Sequence, residues 1–293
     1  MPATRSGAPL TARRRLGAEL RTLRDRHGLT AEEVAGKLGC HFSKITRVEL
    51  GQRGCGKSDF DALMEVYSVS GERQAELRDL LVRSTQRLPP WWRTYTDVIS
   101  ANYAEFLAFE AEALTCREHQ IHFVPGLAQT AAYARAVTAD GIAPLGPDQV
   151  DALVEVRMQR QERLAGDDAM RLEMLLMESA LRLRVGGARV MVAQLSHLAE
   201  LVEAENVTLQ VVPWSAGARG ASTGAFTLFS TDRDRSGDVA FTESAEATTV
   251  LRDDPLAVRR LGRLYENLSA VALSVEDSVA MVHRVRKEMM RDA

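Results

Sequence analysis

The sequence predicts a mainly α protein, α+β overall, with a five-helix N-terminal domain followed by a mixed α+β domain holding a small sheet. Three observations carry that reading. Apolar residues recur at helical spacing from Leu16 to Leu81, with glycine stops between the runs. Short β-branched or aromatic runs bounded by Gly, Asp or Ser appear only beyond residue 170. Between the two, Pro89 and Pro90 forbid a continuing helix. The division expected is an arm at 1–10, a helical domain at 11–88 and a second domain at 89–293.

Each element follows in order. MPATRSGAPL, small and Pro-containing, reads as a disordered arm. Leu16, Leu20 and Leu23 mark a first helix stopped by Gly28. Thr30, with Glu33 three residues on, is a capping-box pattern opening a short second helix of Val34, Ala35 and Leu38, ended by Gly39. HFSKITRVEL forms a third, with Ile45 and Val48 inward and a stop at Gly51. Phe60, Leu63, Met64 and Tyr67 mark a fourth, and Leu77, Leu80 and Leu81 a fifth from Glu72 to about Arg87. In the second domain helices are expected at 102–117, 127–139, 148–165, 188–205, 256–272 and 276–291. Strands are expected at 171–177, 207–213, 225–230, 238–243 and 248–252.

Composition narrows the function classes. The 293 residues are 45% apolar, 26% charged and 5% aromatic, ordinary for a globular protein. No run of 18 apolar residues exists, so no membrane-spanning helix is expected, and residues 1–15 carry no secretory pattern. Three cysteines, Cys40, Cys55 and Cys116, make no disulfide framework and fit a reducing cytoplasm. Residues 1–57 carry 12 Lys and Arg against 5 Asp and Glu, while the rest carry 25 against 35. A basic head on an acidic body is the asymmetry expected when one end meets a polyanion.

Two short helices joined by a tight turn at Gly39 match a helix-turn-helix, whose second helix enters the major groove of duplex DNA. Val34, Leu38, Ile45 and Val48 lock the pair together, which leaves His41, Phe42, Ser43, Lys44, Thr46 and Arg47 outward. Arg47 has the donors for guanine and Phe42 can cover a thymine methyl. Lys44, Arg53 and Lys57 suit phosphates, and the free N–H groups behind Thr30 add an uncharged anchor.

The run LRTLRDRHGLTAEEVAGKLGCHFSKITRVELGQRG resembles the phage-repressor or xenobiotic-response-element type of helix-turn-helix regulator, over roughly residues 14–70. The resemblance implies a structural pair between Arg24, late in the first helix, and Glu49, closing the recognition helix. Ala31 stands where such proteins often carry a phosphate-binding glutamine. Cys55 replaces a common proline, which implies a looser following loop. Further along, WWRTY, FLAFEAEA, HFVPGLAQTAAYARAV, VEVRMQRQERL, VTLQVVPWSAGARG and GAFTLF resemble the C-terminal domain of a large group of actinomycete antitoxin-like transcriptional regulators. These are often encoded beside a small partner protein.

Other constellations carry less. Cys116, His119 and His122 have zinc-ligand residue types but no evident fourth ligand, so no metal and no cofactor are expected. Glu110 and Glu112, or Glu243 and Glu246, are candidate carboxylate pairs without a matching nucleophile, so no catalysis is expected. Trp92, Tyr95, Phe123, Pro125, Leu127, Tyr133 and Trp214 are either walls of a ligand or partner site or ordinary core. The stripe Val275, Val279, Val282 and Val285 is either packing on its own domain or a dimer seam. The reading is a homodimeric regulator on a double-stranded operator. Its rivals are an antitoxin-like protein holding a small partner and an enzyme with DNA binding attached.

Overall fold

The computed structural model describes residues 8–51, 53–85, 90–141, 145–166, 168–221, 224–231, 238–243, 248–251 and 254–291. The chain divides into two compact units, Met1–Trp91 and Trp92–Ala293. The expected boundary at 88/89 lies outside the described residues.

The first unit is five helices: α1 (Ala8–Arg26), α2 (Ala31–Lys37), α3 (Phe42–Glu49), α4 (Lys57–Val66) and α5 (Gly71–Thr85). One core joins them, with Leu16, Leu20, Val34, Ile45, Phe60, Leu63 and Leu77 each at most 4% exposed. Residues 8–10 belong to α1 and not to an arm; the rest of that arm is outside the described residues. One close approach sets how α1 meets α3. A Cβ at Gly17 would lie 2.5 Å from the Val48 carbonyl oxygen and nearer still to that of Glu49. The missing side chain lets α1 run against the end of α3.

The second unit is built on a six-stranded sheet in the order β3-β2-β1-β4-β5-β6. Its strands are β1 (Thr115–Gln120), β2 (Arg171–Met177), β3 (Val207–Val212), β4 (Phe226–Ser230), β5 (Val239–Glu243) and β6 (Thr248–Leu251). The first three are parallel, and β4 to β6 continue antiparallel from β1. Around the sheet lie α6 (Ala101–Glu110), α7 (Ala131–Ala139), α8 (Pro147–Arg160), α9 (Glu178–Arg182), α10 (Ala188–Leu201), α11 (Pro255–Ser269) and α12 (Val275–Arg291). From α6, Phe106 meets Phe229 and Phe241 edge-on at 5.0 Å each, covering one face. On the other face α11 packs Val258, Tyr265 and Leu268 against Leu175, Phe226, Leu228 and Ala240. The helical part followed by an α+β domain is the fold class the sequence predicts.

Two elements depart from expectation: α9 has no counterpart in it, and β1 takes the place of a helix end. The helix expected over 102–117 ends at Glu110, and residues 115–120 form a central strand instead. TCREHQ has no apolar alternation, so nothing in its pattern announces a strand. Burial on both faces by neighbouring strands and helices imposes it. Of the stripe on α12, Val282 and Val285 are buried in its own unit, Val279 is half-buried and Val275 is exposed, and Ser278 accepts a hydrogen bond from the Val211 N–H of β3 at 2.9 Å.

Candidate nucleic-acid interface

The surface expected to read DNA is built from α2, α3 and the turn between them. Thr30 caps α2 in a reciprocal capping box: Glu33 N–H donates to Thr30 Oγ1 at 3.2 Å, and Thr30 N–H donates to Glu33 Oε2 at 2.7 Å. The bond from Thr30 N–H, with one from the Thr30 hydroxyl at 2.9 Å, holds the Glu33 carboxyl below its ordinary range. Of the N–H groups behind Thr30 expected to form an anchor, that of Glu33 is already engaged. After α2, Gly39 turns the chain at φ +65°, a conformation L-residues avoid, and Cys40 N–H closes the turn on the Ala35 carbonyl at 3.0 Å.

His41 then caps α3, accepting from Ser43 N–H at 3.3 Å, with its ring 4.5 Å from that of Phe42. Phe42 is 45% exposed. Thr46 and Arg47 are exposed and Ser43 half-buried; Arg47 Nη2 lies 3.5 Å from Ser43 Oγ. Arg53 and Lys57 are exposed too, and Arg53 N–H donates to the Arg47 carbonyl at 3.0 Å. Lys44 is different. Its Nζ donates to Asp59 Oδ1 at 2.7 Å, tying α3 to α4, so it is not the open phosphate contact expected of it. A lysine two turns from a carboxylate on another helix gives no local sign of that pairing.

A second ion pair holds the interface in place. Arg24 Nε and Nη2 donate to Glu49 Oε1 and Oε2 at 2.7 and 3.0 Å, and Nη1 donates to the Leu29 carbonyl at 2.9 Å. Both side chains are mostly buried, at 13% and 7% exposed. The bond to Glu49 raises the Arg24 pKa against the opposing effect of burial. One bidentate pair thus joins the end of α1 to the end of α3 and fixes the angle at which α3 is presented. Cys55 is 4% exposed in the core, which pushes its thiol up to about 12; it anchors the loop expected to be loose.

In the second unit the aromatic set does not assemble into a wall. Trp92, Pro125, Leu127 and Tyr133 are buried, Tyr133 with its hydroxyl accepting from Val124 N–H at 3.1 Å. Tyr95 is half-buried beside Glu155. Only Phe123 and Trp214 are open, at 41% and 59%, with the Arg182 guanidinium over the Trp214 ring. Cys116 and His119 point to opposite faces of β1, so with His122 they do not converge. Glu110 pairs with Arg160 and not with Glu112, through bonds of 2.8 and 2.7 Å. Glu246 lies outside the described residues. The residues that the sequence did not bring together are Tyr103, Glu118, Gln120 and Arg157, which gather beside β1; Tyr103 and Arg157 lie on helices expected as such, and no periodicity marked residues 118–120.

Comparison with known proteins fits this division. Residues 15–77 match a family model described as a helix-turn-helix domain, the type of head that DNA-binding regulators carry. No curated protein and no solved structure matches the chain. Residues 103–284 match a family model described as a domain of unknown function (DUF5753), and since that match spans more than half of the chain, the protein belongs to the DUF5753 family.

Proposed function

We propose that the protein is a sequence-specific transcriptional regulator of the xenobiotic-response-element type, acting as a cytoplasmic homodimer on a double-stranded operator. The observation that carries this reading is the open face of α3. Phe42, Ser43, Thr46 and Arg47 stand on a short helix whose angle is set by the Arg24–Glu49 pair. In this reading two such helices meet half-sites about 34–36 Å apart, and Arg53 and Lys57 hold the flanking phosphates. The C-terminal domain senses a small molecule, and it acts by binding and not by catalysis. Selection of the full chain against a randomised duplex tests the reading. A two-fold symmetric consensus supports it, and enrichment of no consensus overturns it.

A second reading, an antitoxin-like protein that holds a small partner, draws on the exposed Phe123, Leu183 and Trp214 of the second unit. Co-purification of a stoichiometric small protein with the native chain, lost in Trp214→Ala, is the outcome that favours it.

A further inference from the structure

Strand β1 places polar side chains where a core is expected: Cys116, Arg117, Glu118, His119 and Gln120 are all buried. On the face toward α11 the charges are matched. Arg117 pairs with Asp238 at 3.2 Å and lies over the Tyr265 ring, and His119 Nδ1 bonds the Leu175 carbonyl at 2.9 Å. On the face toward α6 they are not. Arg160 and Glu110 satisfy one another, and Arg160 Nη1 also donates to the Tyr103 hydroxyl at 3.2 Å. Glu118 accepts from Gln120 Nε2 through Oε1 at 2.9 Å, while its Oε2 is buried without a hydrogen-bond partner. Arg157 donates to Gln129 Oε1 at 3.2 Å and to the Ala134 carbonyl at 3.3 Å, and meets Glu243 through space.

Glu110 takes Arg160, Glu243 is exposed, and among the described residues no cation lies within ion-pair distance of the buried Glu118 carboxyl. An unmatched buried carboxylate is costly. In the protein alone a proton supplies the answer. Burial lifts the Glu118 carboxyl to about 7, with Glu243 and Glu110 pushing the same way and Gln120 and Arg160 opposing. Cys116 on the same strand and Tyr265 on α11 also feel the Glu118 charge.

The position is one where ligands bind. At β1 the strand order turns, with β2 and β3 to one side and β4 to β6 to the other, and open α/β sheets bind ligands outside the carboxyl ends of strands where the order reverses. Glu118 and Gln120 are buried there, while Tyr103 and Arg157 are half-buried and Glu243 is exposed. We propose that this end of β1 binds a small organic cation, its primary ammonium group set against Glu118 Oε2 and flanked by the Glu243 carboxylate. The proposal rests on reading the C-terminal domain as a sensor and names its site. An ammonium suits the groups better than a metal ion, because among the described residues no three His, Cys, Asp or Glu side chains converge.

The test is calorimetry and thermal melting of the full chain with straight-chain primary amines from methylamine to hexylamine. Matched alcohols and matched sodium chloride are the controls, at pH 6 and pH 8. At least one amine binds and raises the melting temperature, and its alcohol does not. Binding is about tenfold tighter at pH 8, because at pH 6 the ammonium must displace the proton on Glu118. Glu118→Gln, an isostere of the protonated form, keeps the wild-type melt at pH 6 and loses the response. Glu243→Gln weakens it several-fold. The proposal is overturned if no amine binds, if binding survives Glu118→Gln, or if it is independent of pH. Operator affinity separates this outcome from the parent reading. An amine that binds through Glu118 but leaves operator affinity unchanged sinks the sensor and keeps the site.

Discussion

Arg47 stands free on the exposed side of α3 with one long contact to Ser43, whereas Lys44, three residues earlier, is tied to Asp59. That difference separates two substitutions that look alike in the sequence. Arg47→Ala should cost about 1–3 kcal/mol of operator affinity and relax preference at one base position, measured across a randomised operator library. Lys44→Ala should leave the salt slope of binding nearly unchanged and lower stability by about 0.2–1 kcal/mol, the range of a half-open ion pair. A slope shallower by one phosphate contact would return Lys44 to the DNA. Glu118 supplies a pH dependence whose sign can be worked out. Its folded pKa, about 7, lies above the unfolded value of about 4.3, so the folded state holds the proton longer. Stability is therefore full below the unfolded value and falls as pH rises to about 7, by an amount on the order of 3–4 kcal/mol. Denaturant titrations from pH 5 to pH 8 should show that fall in the wild type and its loss in Glu118→Gln.

At the scale of elements, two devices set how α3 is carried. Removing one partner of the Arg24–Glu49 pair leaves the other mostly buried and unmatched, so each single substitution should destabilise by about 2–4 kcal/mol. The double variant should lose less than the two combined; additive losses in the cycle would mean the pair carries no coupling. Gly17→Ala sets two effects against each other. Alanine gains about 1 kcal/mol in a helix over glycine. The new Cβ meets backbone carbonyls of Val48 and Glu49, which cannot rotate away, and overpacking of that kind costs about 1–3 kcal/mol or more. The net expectation is a lower melting temperature for the full chain, and an increase would show that α1 and α3 can separate cheaply. Legibility differs sharply between such elements. The capping box at Thr30 and the stop at Gly39 are local, so their residues alone announce them. Strand β1 is not, because Arg117 and His119 are held by partners 121 and 56 positions away.

For the whole molecule, the charge asymmetry predicts that the head makes the DNA contacts. Each phosphate neutralised on duplex DNA contributes about −0.9 to the slope of log affinity against log salt. A fragment of residues 1–88 should keep the slope per head found for the full chain, and bind more weakly where the second unit supplies the dimer. Arg157, Arg160 and Arg163, a basic run at the end of α8 and just beyond it, are turned inward. Arg160 is 6% exposed against Glu110, and Arg163 donates to the Glu110 and Ala113 carbonyls. A full chain with several more phosphate contacts per protomer than the fragment would show that another surface of the second unit touches DNA.

The sequence by itself determined the order of helices in the head, the cap and turn that join α2 to α3, five strands with their edges to within a residue or so, and the outward set on α3. All of these follow from neighbours within a turn or two, where spacing, glycine and capping chemistry act. Tertiary structure alone decided that TCREHQ is a strand, that Lys44 serves α4, that Gly17 is a contact point and that Glu110 belongs to Arg160. The physical reason is the same in each case. A charged or missing side chain takes its role from the group it meets across the fold, and that group lies far away in the chain.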